Sequence, residues 1–190
     1  MKRILLFFTI LMSLCCSNSA QSHLTFMGIP ITGKREAMVT KLKQKGFTEK
    51  TQENEVGVEL KGKYLGSKVW LRIYNSNKSK TVYLIDIFFP KGQFADLHDQ
   101  YQEYRQKFNA IYGKPTEVLD EPLEETLKYG IYPMCATYYK NSKGLISLEI
   151  SEEKHCVEIS FQDKLNAEIM RKEKPKRREL SQNRFHKTQK

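Results

Sequence analysis

Metal or nucleophilic chemistry in this chain would have to be built on four histidines and four cysteines. These are His23, His98, His155 and His186, with Cys15, Cys16, Cys135 and Cys156. His155 adjoins Cys156, which invites a cysteine–histidine dyad. Neighbours on a strand point to opposite faces, however, so the two cannot engage without a bulge. His98 sits one position off the apolar stripe of a helix, where it is solvated, and His186 lies in a basic terminal stretch. Cys135, Cys156 and Glu149 would make a zinc set that lacks a fourth ligand. The acidic run Glu117, Asp120, Glu121, Glu124 and Glu125 has neither the spacing nor the turn glycine of a calcium loop, and reads as a solvated linker. No serine-nucleophile elbow, phosphate loop, dinucleotide fingerprint or paired zinc histidines occurs. The expectation is a non-enzymatic protein with no catalytic residue, no metal site and no cofactor.

The elements that would position these residues are organised around the stretch from Gly92 to Pro115. Phe94, Leu97, Tyr101, Tyr104, Phe108 and Ile111 alternate by three and four, which predicts one long helix with a single apolar stripe. Gly113 supplies the left-handed stop and Pro115 blocks continuation. An earlier helix runs from Lys34 to Lys45, with Met38, Val39 and Leu42 inward, Thr32 as its cap and Gly46-Phe47 as its stop. His23–Ile29 adds a short strand. Thr48–Asn54 is polar and reads as a loop.

Each helix is followed by three strand-like runs. The first triad places Val56, Val58 and Leu60, then Val69, Leu71 and Ile73, then Tyr83, Ile85, Ile87 and Phe89 on one face. Leu65-Gly66 makes a two-residue hairpin loop. The second triad places Met134, Ala136 and Tyr138 with Ile146, Leu148 and Ile150 and with Val157, Ile159 and Phe161. The predicted fold class is α+β: tandem helix-plus-three-strand units (about 23–90 and 92–163) forming an antiparallel sheet with helices on one face.

Residues 1–20 read as a secretory signal peptide: Lys2 and Arg3, an apolar run from Ile4 to Leu14, then Ser17-Asn18-Ser19-Ala20. Lipidation at Cys15 or Cys16 is less well matched. The expected location is therefore periplasmic or secreted. No second apolar run is long enough to span a bilayer, so an integral membrane protein is not expected. Residues 21–166 form one domain and 167–190 a basic, disordered tail. Of the formal net charge of +10, seven units lie between Lys164 and Lys190 and two at Lys2 and Arg3. The near-neutral body argues against nucleic-acid binding by the folded domain. The tail, through Lys172, Lys174, Lys176, Arg177 and Arg178, would suit an anionic surface.

Turn lengths predict the outward rows of the first triad. Glu59 should oppose Arg72, which opposes Leu84. Lys61 should oppose Trp70, which opposes Asp86. Tyr74 and Val82 lie beside them, as does Phe88. Trp70, Arg72, Tyr74, Val82, Leu84, Asp86 and Phe88 are more apolar and aromatic than exposure requires, and have the make-up of a site for an unidentified protein partner. In the second triad, Glu149 should pair with both Cys135 and Cys156. That spacing is too wide for a disulfide, so two free thiols are expected.

His23-Leu24-Thr25-Phe26-Met27-Gly28-Ile29-Pro30, Gly46-Phe47, Phe88-Phe89-Pro90, Tyr112-Gly113-Lys114-Pro115 and Val157-Glu158-Ile159-Ser160-Phe161-Gln162-Asp163 resemble small uncharacterised exported proteins of gut Gram-negative bacteria. That resemblance implies location and no activity. The doubled layout is also similar to the β-lactamase-inhibitor-protein fold and to small outer-membrane assembly lipoproteins. In the inhibitor an open concave sheet face binds the enzyme, so the likeness implies a binding face and transfers no residue.

Overall fold

A computed structural model describes residues 22–54, 57–121 and 134–173. The expected signal peptide, Val56 of the first triad, Glu124 and Glu125 of the acidic linker, and Lys174, Lys176, Arg177 and Arg178 of the expected tail lie outside the described residues. Strands β1 (Thr25–Phe26) and β2 (Ile29–Pro30) form a small hairpin, followed by α1 (Arg35–Gln44). Then come β3 (Thr48–Asn54), β4 (Gly57–Tyr64), β5 (Ser67–Asn75), β6 (Val82–Phe88) and the long helix α2 (Phe94–Tyr112). The second set is β7 (Glu117–Asp120), β8 (Cys135–Lys140), β9 (Gly144–Ser151) and β10 (Cys156–Asp163), closed by α3 (Lys164–Glu173). The chain is α+β, as its patterning predicts.

Eight strands make one antiparallel sheet in the order β3-β4-β5-β6-β10-β9-β8-β7. Each half is a helix followed by four strands, not three, and the halves meet through their last strands, β6 and β10. The two additions, β3 and β7, are edge strands. β3 carries no large apolar residue and β7 only Val118 and Leu119, so neither shows the alternation of a half-buried strand. Both helices bury their stripes in one core: Met38, Val39 and Leu42 of α1 and Leu97, Tyr101, Tyr104 and Phe108 of α2 share it with Leu60, Leu71, Ile73, Ile85, Ile87, Leu148 and Ile159. Ile150 is only partly buried. Ile111 departs from the stripe at 60% exposure.

Local chemistry sets the turns. Leu65 and Gly66 both have positive φ, 52° and 88°, matching a two-residue hairpin whose twist suits its strands. Lys34, not Thr32, stands at the start of α1, with no side-chain cap. α2 ends at Gly113, whose amide donates to the Asn109 carbonyl at 3.0 Å. The folded part does not stop at Asn166. Asp163, fully buried, accepts the Asn166 amide at 3.0 Å as the cap of α3 and the Leu24 amide at 2.8 Å. Asn166 then donates to the carbonyls of Ile31 and Val82, both at 2.8 Å. Glu173 accepts the amides of Lys78 and Ser79. Polar contacts, not an apolar stripe, fasten α3, which is why its sequence reads as a tail.

Gly144 faces Gln162 so closely that a Cβ there would lie 2.1 Å from the Gln162 carbonyl oxygen. Gly144→Ala must push β9 away from β10, and a loss of about 1–3 kcal/mol is expected from overpacking. Lys143→Ala, one residue away and exposed, should stay within about 0.5 kcal/mol of wild type. Urea unfolding midpoints check the pair; equal midpoints would mean the strands do not approach this way.

Candidate functional site

The face of the sheet turned away from the helices carries the residues singled out as a binding surface, except Val82, in a different register. Glu59–Arg72 and Lys61–Trp70 pair as the hairpin loop dictates. Beyond β5 the pairing is offset by two: Arg72 opposes Asp86, Trp70 opposes Phe88 and Tyr74 opposes Leu84. One residue of the offset comes from a bulge after Tyr74, where Asn75 pairs with Val82 and Tyr83 is the extra residue, and the other from the turn itself, which sets Asn75 opposite Val82. The bulge turns Val82 inward, where it is fully buried, so Val82 is not part of the open face.

β10 extends these rows across the joint. Asp86 opposes Ser160, and Phe88 opposes Glu158, which in turn opposes Glu149 of β9. The resulting rows are Glu59–Arg72–Asp86–Ser160 and Lys61–Trp70–Phe88–Glu158–Glu149. Arg72 donates to Glu59 through Nη2 at 2.6 Å and Nε at 3.3 Å, and reaches the Tyr74 hydroxyl at 3.5 Å. Lys50 of β3 donates to the other Glu59 oxygen at 3.2 Å. Ser160 donates to Asp86 at 2.6 Å, and Lys154 donates to Glu158 at 2.6 Å. The Phe88 ring lies between two cations, with Lys154 Nζ 4.4 Å and the Arg72 guanidinium carbon 5.4 Å from its centroid.

Above these rows is a cleft of about 360 Å³. Trp70, Phe88, Phe89 and Cys156 supply its apolar part; Lys50, Arg72, Lys91, Lys154 and Glu59 supply the charges. Trp70 is the most exposed of the group, at 38%. Tyr74 and Leu84 lie farther along the face, half-buried.

The carboxyls under the cleft are electrostatically unusual. Asp86 and Glu158 are each only 6% exposed. Burial raises the Asp86 carboxyl above its ordinary range, against the hydroxyls of Ser160 and Tyr74 and the charges of Lys154 and Arg72. Burial likewise raises Glu158 and Glu149, with Asp86 adding to both. Glu59, held by Arg72, is lowered instead.

The cysteines do not flank Glu149. Glu149 pairs with Ala136 and Glu158, while Cys135 pairs with Asp120 and Cys156 with Ser151. The inward face of β8 is Cys135, Thr137 and Tyr139, not Met134, Ala136 and Tyr138: Tyr101 bonds Thr137 at 2.6 Å, and Tyr139 donates to Asn109 at 2.8 Å. Cys135 therefore lies on the helix side and Cys156 on the cleft side. Both are free and buried. Burial pushes the Cys156 thiol up to about 11, so it is not an activated nucleophile.

The acidic linker is also more than a solvated loop. Asp120, at the end of β7, meets His98 of α2 and Cys135 of β8, three donors that sequence spacing could not bring together. Of the tail cations, Lys172 is exposed in the last turn of α3. Compared with protein-family models, curated proteins and solved structures, the chain matches none.

The raised Asp86 carboxyl fixes the sign of a pH effect. The folded chain keeps this proton at pH values where the unfolded chain has released it, so its contribution is full below the unfolded value and is lost as pH rises through the folded one. Asp86→Asn keeps an acceptor for Ser160 without the charge. It should match wild type near about pH 3 and exceed it in stability at about pH 7. Denaturant titrations at both pH values check this; a variant weaker than wild type at pH 7 would refute it.

Proposed function

We propose that this is an exported, non-enzymatic binding module whose open sheet face docks a partner protein. The observation that carries the reading is the half-exposed Trp70 beside Phe88 in a cleft rimmed by Lys50, Arg72, Lys91 and Lys154. Aromatic residues with arginine are the side chains that dominate protein interfaces, because they bury much area and still pair with polar groups. Four cations against the single lining carboxylate of Glu59 suit an acidic segment that brings its own apolar side chain. The chain's own terminal stretch is basic and is repelled by such a rim.

Trp70 is the only tryptophan of the chain, so its emission reports directly on the cleft. A partner captured from envelope extract should shift that emission on titration. Trp70→Ala should weaken the interaction by about 2 kcal/mol and leave the fold intact. Tyr74→Ala, farther along the face, tests how far the contact extends. Unchanged affinity for Trp70→Ala, or an unfolded variant, would sink the reading.

A second reading is association with an anionic envelope surface through the basic terminal stretch. It is favoured by Arg171 and Lys172 in the last turn of α3, which lead into Lys174, Lys176, Arg177 and Arg178. Cosedimentation with vesicles containing anionic lipid should fall steeply with added salt and vanish on deletion of residues 174–190. Sedimentation that survives the deletion would remove this reading.

A further inference from the structure

We propose that His98, Asp120 and Cys135 form a zinc site with three protein ligands and a fourth position open to water. His98 comes from the second turn of α2, Asp120 from the end of β7 and Cys135 from the start of β8. Their donor atoms all lie within 4.8 Å of one another. His98 Nε2 is 3.7 Å from Asp120 Oδ1, and Cys135 Sγ is 3.8 Å from the same oxygen. The first separation is long for a direct hydrogen bond, and the second is a long thiol hydrogen bond that Cys135 donates to Asp120. A tetrahedral zinc, with nitrogen and oxygen donors at about 2.0–2.1 Å and sulfur at about 2.3 Å, would hold these pairs about 3.3–3.6 Å apart, so the three donors need close by only a few tenths of an ångström.

The donor set narrows the ion. One thiolate, one imidazole and one carboxylate are borderline-soft ligands, suited to zinc and unsuited to calcium or magnesium, which take oxygen. Access is graded. Cys135 is buried at the floor, while the side chains of His98 and Asp120 are 22% and 30% exposed and leave a path from solvent.

The surroundings are those of a held ligand. Arg105 donates to Asp120 Oδ2 at 2.7 Å and Gln102 to the same oxygen at 3.0 Å. Both act on Oδ2, so Oδ1 stays turned toward His98 and Cys135, as outer partners orient a ligating carboxylate. Arg105 also brings a positive charge. A zinc ion and Arg105 together are balanced by the Cys135 thiolate, Asp120 and the neighbouring Glu121. The His98 ring lies tilted by 33° and 38° to the rings of Phe94 and Tyr101, with centroids 6.3 and 6.4 Å away, and these neighbours restrict its plane.

The test is titration of the chain, carrying no affinity tag, with cobalt(II) as an optical stand-in for zinc. One cobalt per chain is expected, with tetrahedral d–d bands and a thiolate-to-cobalt charge-transfer band. Cys135→Ser should remove the charge-transfer band, and His98→Ala should weaken zinc by at least about tenfold in a chelator competition. Cys156→Ser, on the other face of the sheet, should keep both signals. His98 is partly exposed, so His98→Ala keeps the proposal falsifiable if Cys135→Ser does not fold. No charge-transfer band in wild type, a band that survives Cys135→Ser, or zinc affinity unchanged by His98→Ala would overturn it.

Discussion

The antiparallel pairing of β6 with β10 is the constraint on which the rest of the molecule depends. Ile85 opposes Phe161 and Ile87 opposes Ile159 there, and all four are fully buried beneath the helices. Without this ladder the chain would be two four-stranded sheets, each with an unprotected central edge. With it, the first strands of each set are thrown to the outside, and polar β3 and short β7 become the edges. The joint also places Asp86 beside Ser160 and Phe88 beside Glu158, so the charged centre of the open face exists only because the two halves meet.

The core was legible in the sequence wherever burial is one-sided and apolar. The stripe Leu97, Tyr101, Tyr104, Phe108 and the alternation of β4 to β6 and β9 to β10 carry the period of their elements directly. Legibility failed where polar groups do structural work. β8 turns Thr137 and Tyr139 inward because Tyr101 and Asn109 satisfy their hydroxyls, so two residue sets of similar polarity could not be told apart by pattern. α3 is fastened by Asp163, Asn166 and Glu173, and its contacts reach chain positions as remote as Leu24 and Lys78. The turn and the bulge after Tyr74 have no residue signature, yet together they moved the β5–β6 pairing by two positions and took Val82 out of the open face.

The same distinction separates the two candidate sites. The cleft is built from near neighbours on adjacent strands, so its residue types were visible even though their rows were not. His98, Asp120 and Cys135 come from three elements of the second half and share no spacing. Only the packing of α2 over the β7–β8 edge brings them together, through the Arg105–Asp120 ion pair and the Tyr139–Asn109 bond. Sequence spacing finds metal sites when one turn or one helix carries several ligands. A site with one ligand per element leaves no such trace.

The open face also shows why its charges are not simply surface decoration. A surface ion pair contributes little, because water screens it and both side chains must be ordered. Asp86 and Glu158 are in a different regime: they are buried and their ionised forms are disfavoured, Asp86 meeting the Ser160 hydroxyl and Glu158 the Lys154 ammonium. Lys154 is held over Phe88 and Glu158 at once, and Arg72 over Phe88 while it grips Glu59. Glu158 and Glu59 thus fix two cations in place around an aromatic ring, in orientations that free lysine and arginine side chains would lose entropy to adopt. A ligand that meets this ring finds its positive rim already ordered. Preorganisation of that kind strengthens binding without adding contacts.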